Sequence, residues 1–202
     1  FLLHFWLKVF PANEFGLRLL SASIDAINVA LIFWAFRPQF GRSLAICCAG
    51  IWTFSAFAIY FAQEARMYPL LVTFALLLYR YCLDTVENRM NRRKWLALTA
   101  VIVGGAYTHY YFILAAVALS LMILVIGLRD HDMRRLVSWC VPCLIAALAF
   151  IPWLSVVREL AASDGQTFRR FVFTVLPYTA FRFLAGYGVF PLTNAAKEEP
   201  VA

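Results

Sequence analysis

Residues 61–70 read FAQEARMYPL and follow eighteen residues, 43–60, that carry no charge. Glu64 and Arg66 then stand two apart, with Tyr68 and Pro69 just behind. Arginine suits a phosphate, because its planar fork donates two parallel hydrogen bonds. A carboxylate beside it either orients a hydroxyl or holds the guanidinium, and the plainer alternative is an interfacial ion pair that ends a helix. Pro69 fits the first turn of the helix that follows. A second group is YTHYY, residues 107–111. His109 there is placed to donate to a phosphate or sugar oxygen, or is a satisfied structural histidine; the turn offers too few ligands for a metal. A third group is Arg18, Ser21, Asp25 and Asn28, spaced three, four and three apart. That spacing puts all four on one helical face. Such a stripe lines a polar cavity or glues helices together by hydrogen bonds, and Arg18 near a membrane surface also snorkels.

The elements that carry these groups are apolar. Of 202 residues 63% are hydrophobic and 14% are charged, with a mean hydropathy of +0.76. A soluble domain carries about 25% charged residues. The composition indicates an all-α membrane protein, a multi-pass bundle of about six transmembrane helices plus interfacial helices, in one domain over 1–202. A net charge of +7 does not indicate nucleic acid, since no basic groove or motif accompanies it. Cys140 and Cys143 have C-x-x-C spacing but no βαβ context, so all five cysteines read as small apolar residues of membrane helices.

Six apolar runs are legible, at 15–36, 43–60, 66–83, 94–107, 110–128 and 136–154. Residues 95–128 contain no Asp, Glu, Lys or Arg. One helix of that length would span roughly 50 Å against a hydrocarbon core of about 30 Å, and both flanks are basic. The chain therefore crosses twice and turns near GGAYTHYYF, where Gly104 and Gly105 are expected to loosen the helix. The loops at 37–42, 80–94 and 129–135 hold ten Lys/Arg, whereas 61–68 and 108–111 hold one, Arg66. This bias orients the bundle with the basic loops cytoplasmic. Glu14, Arg18, Glu64, Arg66, His109 and Tyr110 then fall on the other face and are expected to line a shared outer cavity. Residues 1–10 read as an interfacial segment, and 171–193 as an interfacial helix or a seventh span.

The stretches ANEFGLRLLSA, FAQEARMYPLLVTFALLLY and WLALTAVIVGGAYTHYYFILAAVAL, in that order, and the later LPYTAFRFLAGYGVFPL, resemble blocks of the dolichyl-phosphate-mannose-protein mannosyltransferase-like branch of the GT-C membrane glycosyltransferases. The resemblance covers most of residues 1–192. It implies transfer of a sugar from a polyprenyl-phosphate-linked donor to a lipid, glycan or protein acceptor, generally with inversion, on the periplasmic or extracellular side of a bacterial inner membrane. Arg18, Glu64, Arg66, Tyr68, His109 and Tyr110 are the candidate substrate-binding residues; some members of the family use a divalent metal. The family's catalytic acid lies in the first outer loop, before the segment that FLLHFWLKVF resembles. It has no counterpart among these residues, so the catalytic residue is unassigned. The expectation is a piece lacking the first helix and catalytic loop, inactive alone. Asp25 and Asn28 within a span also suit a transporter or flippase, and a non-catalytic membrane subunit is the third reading.

Overall fold

A computed structural model describes residues 2–11, 13–64, 66–109 and 111–163. It contains α1 (Leu2–Trp6), α2 (Glu14–Thr53), α3 (Ala56–Gln63), α4 (Tyr68–Val86), α5 (Arg92–Thr108), α6 (Tyr111–Arg129) and α7 (Met133–Ser163), with no strand among the described residues. The expectation for 171–193 lies outside them.

Local chemistry sets the helix ends. Asn13 caps α2 by accepting from the Gly16 backbone N–H at 2.7 Å, and Asn91 caps α5 by accepting from that of Lys94 at 3.0 Å. Asn88 and His131 take left-handed φ of 54° and 51° after α4 and α6. Around each, a backbone N–H bonds five residues back, Arg89 to Asp84 and Asp132 to Gly127. These are Schellman closures.

α2 is a hairpin rather than a rod. Gly41 has φ 78° and ψ 172° inside it, a conformation that favours glycine. Trp52 Nε1 donates to Asp25 Oδ1 at 3.1 Å, although a straight helix would hold them about 40 Å apart. The first apolar run therefore lies in the arm before Gly41, and the second runs through the arm after it and into α3. Four helices are long and apolar enough to cross a membrane: α2, α4, α6 and the Met133–Trp153 part of α7. α5, with 17 residues and three cations at its start, is not among them, and α2 is counted once although it folds into two arms.

α4 stands at the centre. Its Leu78 and Cys82 pack with Leu98 and Val101 of α5, Phe112 and Ile123 of α6 and Trp139 of α7. Trp139 Nε1 donates to Ser120 Oγ at 2.9 Å, so the buried indole is satisfied. The periphery is apolar too, with Leu114, Val125, Leu128 and Leu144 well exposed. A helix bundle greasy outside and close-packed inside is an integral membrane protein.

Gly104 and Gly105 do not loosen the chain. Both lie within α5, and a Cβ would come within 2.7 Å of the Phe74 ring at Gly104 and 2.5 Å of the Phe112 ring at Gly105. They are notches that admit aromatic rings from α4 and α6. The turn comes later, between Thr108 and Tyr111.

The bundle has two chemically distinct ends. At one, Tyr79 donates to Gln39 at 2.6 Å and Asn88 to Asp132 at 2.7 Å, which brings the three basic loops together. Buried Asp84 pairs there with Arg80 at 2.9 Å and Lys94 at 2.6 Å. At the other end, Tyr68 meets His109 with ring centroids 5.9 Å apart, so the EAR segment and the THY turn share one surface as the charge bias requires.

Gly105→Ala should destabilise the protein by about 1–3 kcal/mol through overpacking, despite alanine's better helix propensity; thermal unfolding in detergent reads it, and a gain in midpoint would contradict the notch. A second expectation concerns acid. The Asn88 amide, then the Arg135 backbone N–H, hold the Asp132 carboxyl below its ordinary value of 3.8. A carboxylate depressed by folding stabilises the fold above its unfolded pKa, and that contribution is lost as pH falls through the folded one. The midpoint gap between wild type and Asp132→Asn should therefore shrink below about pH 4; a gap of constant size across the titration would exclude this linkage.

Candidate functional site

The site begins with how the first arm of α2 grips the start of α4. Asn28, fully buried, donates from Nδ2 to the Pro69 carbonyl at 2.8 Å. The Thr73 hydroxyl lies 2.7 Å from Asn28 Oδ1 and 3.1 Å from the Pro69 carbonyl, so its one proton serves both. Two turns earlier on α2, Ser21 Oγ donates to the Arg66 carbonyl at 3.4 Å. The polar stripe thus divides. Ser21 and Asn28 glue α2 to α4, Asp25 accepts from Trp52 within the α2 hairpin, and Arg18 pairs with Glu14 at the surface.

That grip sets the position of Arg66. Its backbone N–H bonds to the Glu64 carbonyl at 2.8 Å, a tight turn that puts the two side chains together. Arg66 Nε then lies 3.2 Å from Glu64 Oε2; this oxygen is buried and accepts no aligned hydrogen bond, so the pairing is Coulombic. The Arg66 and Arg18 side chains are 60% and 52% exposed, which leaves both open to exchange partners. Glu14, Arg18, Gln63, Glu64 and Arg66 line one pocket of about 350 Å³.

A second cavity of about 410 Å³ adjoins it and is apolar. It is walled by Leu3 of α1, Leu20 and Ile24 of α2, Met67 and Leu70 around the start of α4, and Tyr107 of α5. Ser21 and Thr108 add hydroxyls. Leu17 and Arg66 line both spaces, so a charged pocket opens beside a greasy one with a guanidinium at the join.

His109 is on the rim. Its ring stacks on Tyr111 at 4.9 Å, and Nδ1 accepts from the Tyr111 backbone N–H at 3.2 Å. In the neutral ring that places the proton on Nε2. His109 lines neither space, although its neighbours Tyr107 and Thr108 line the apolar one. Tyr68 packs between His109 and Phe61. Tyr110 lies outside the described residues. The sequence therefore placed Glu14, Arg18, Glu64 and Arg66 together as the structure does. It missed Gln63 and Tyr107 as wall residues. Nothing distinguished Leu17 from the many other leucines. Among the described residues no three His, Cys, Asp or Glu are grouped to hold a metal ion.

The sequence model described as dolichyl-phosphate-mannose-protein mannosyltransferase matches residues 1–156. No curated protein and no solved structure matches the chain.

If Asn28 sets the register of α4, Asn28→Leu should cost about 0.6–1.7 kcal/mol, the range of interhelical hydrogen bonds in membranes. A Thr73→Val partner should add less than its own single effect. Strictly additive losses in the double-mutant cycle would separate the two residues.

Proposed function

The chain belongs to the dolichyl-phosphate-mannose-protein mannosyltransferase family, membrane glycosyltransferases of the GT-C type, and on that premise we propose that it draws its sugar from a polyprenyl-phosphate-linked donor. The observation that carries the proposal is the shared wall: Leu17 and Arg66 belong both to the charged pocket and to the apolar cavity. A molecule with a phosphate at one end of a hydrocarbon tail has the same division. The tail would lie along Leu20, Ile24 and Leu70, and the phosphate would meet Arg66 and Arg18.

In such a transfer the bond from the anomeric carbon to the phosphate oxygen breaks while an acceptor hydroxyl attacks that carbon. Polyprenyl phosphate leaves with the electron pair. Charge grows on the phosphate as it departs, and a fixed guanidinium stabilises it most at that moment. The Tyr68–His109–Tyr111 rings would border the sugar, where a positive anomeric centre develops. Glu14 and Glu64 hold the two arginines in waiting, and we assign neither as the base that takes the acceptor proton. The acceptor is a lipid, glycan or protein. The face opposite the basic loops is extracytosolic by the charge bias, which for a bacterial inner membrane means periplasmic or extracellular. Asp25 suited a transport path in the sequence, but its bond to Trp52 gives it a place inside the hairpin.

In the intact protein in membranes, Arg66→Ala should lower kcat/KM for a synthetic polyprenyl-phospho-sugar about 10- to 100-fold, as expected for losing charge-assisted hydrogen bonds. Arg66→Lys should recover part of that loss. Transfer at the wild-type rate in Arg66→Ala would remove this guanidinium from the mechanism.

A further inference from the structure

At the basic end, far from the charged pocket, a groove of about 560 Å³ runs between the α2 hairpin and α4. Its volume is within the range of ligand sites, about 300–1,000 Å³. Phe36, Phe40, Leu44, Cys48, Ala75 and Tyr79 are among its walls. Phe36 packs edge-on against both Phe40 and Tyr79, at 5.8 and 5.5 Å between centroids. The Tyr79 hydroxyl is already given to Gln39, so the wall asks for no polar partner. Phe40 and Leu44 are about half exposed, so the groove opens sideways, towards lipid.

Two arginines adjoin its wall residues in the chain. Arg42 stands in the chain between Phe40 and Leu44, directly after the reversal at Gly41, and Arg37 follows Phe36. Both are exposed. The Arg37 guanidinium lies over the Phe33 ring at 5.8 Å. None of the ion pairs among the described residues engages either arginine, whereas Arg80, Lys94 and Arg135 at the same end are matched to Asp84, Asp130 and Asp132. The ion pairs among the described residues also leave Arg92, Arg93, Arg129 and Arg134 of this end unmatched, but Arg37 and Arg42 are the ones that adjoin groove walls in the chain.

We propose that this groove is a binding site for an anionic phospholipid of the leaflet at the basic end. One acyl chain lies against Phe36, Ala75 and Tyr79, and the phosphate sits between Arg37 and Arg42. Basic pockets between membrane helices hold anionic headgroups in this way. A neutral lipid or an apolar partner helix would make no use of the two cations. The site is independent of the sugar donor, which enters at the opposite end.

The test uses the intact protein in nanodiscs of phosphatidylcholine alone or mixed with phosphatidylglycerol, read by thermal midpoint and by native mass spectrometry of retained lipid. Phosphatidylglycerol should raise the wild-type midpoint and remain bound through purification. Arg37→Gln with Arg42→Gln should weaken its retention about 30-fold, at about fivefold per arginine, with an unchanged midpoint in phosphatidylcholine. Ala75→Phe, which fills the groove, should lose the effect with both arginines present; if it does not fold, the arginine pair alone carries the test. Arg134→Gln, an exposed cation at the same end away from the groove, should respond as wild type. The proposal is overturned if the double variant keeps the phosphatidylglycerol response, if Arg134→Gln loses as much, or if phosphatidylcholine is retained equally well.

Discussion

The buried amide of Asn28 is the constraint on which the outer end depends. In a hydrocarbon environment an unpaired polar group costs several kcal/mol, so a fully buried asparagine must find partners on a neighbouring helix. It finds the Pro69 carbonyl and the Thr73 hydroxyl. Those bonds fix where α4 begins relative to α2. From that register, Ser21 reaches the Arg66 carbonyl and Tyr68 reaches the His109 ring. A stripe that by spacing alone could have lined a cavity instead builds the wall beside one.

The two ends of the bundle handle charge in opposite ways. At the basic end, Asp84 is buried between Arg80 and Lys94, and Arg135 is buried beside Asp130 and Asp132. Removing one member of a buried pair costs about 3–5 kcal/mol, so this end is rigid. At the outer end both partners of Arg18–Glu14 are exposed, and Arg66 is exposed although its partner Glu64 is mostly buried. An exposed pair is worth about 0–1 kcal/mol, so Arg18 would exchange Glu14 for a phosphate at little cost. The transferase chemistry proposed above uses the end where the guanidinium groups are exposed.

Packing between the helices relies on small residues rather than on apolar burial alone, because lipid is as apolar as leucine. Gly104 receives Phe74, Gly105 receives Phe112, and Gly127 receives Leu136, each where a Cβ would collide. These three contacts join α4, α5, α6 and α7 and hold Tyr107, Thr108 and His109 at the top of α5. His109 is therefore held from little more than one turn below it.

The membrane class, the apolar runs, the break of 95–128 into two helices and the shared face of Glu64, Arg66 and His109 were all legible in the chain. Hydropathy and flanking charge are local properties that a bilayer reads segment by segment, whatever the helices later touch. The family resemblance over the EAR and THY blocks was legible for the same reason, since each block is contiguous. Which member of an equally spaced stripe becomes glue, which pairs within the hairpin and which reaches the pocket was decided only by tertiary structure. So was the difference between a glycine that bends a helix and one that admits a ring. Arg18, Ser21, Asp25 and Asn28 share one face of α2, but their partners, Glu14, Arg66, Trp52 and Pro69, come from two other stretches of chain and from the turn before. Spacing determines where a side chain leaves its helix; what waits there depends on how the other helices pack.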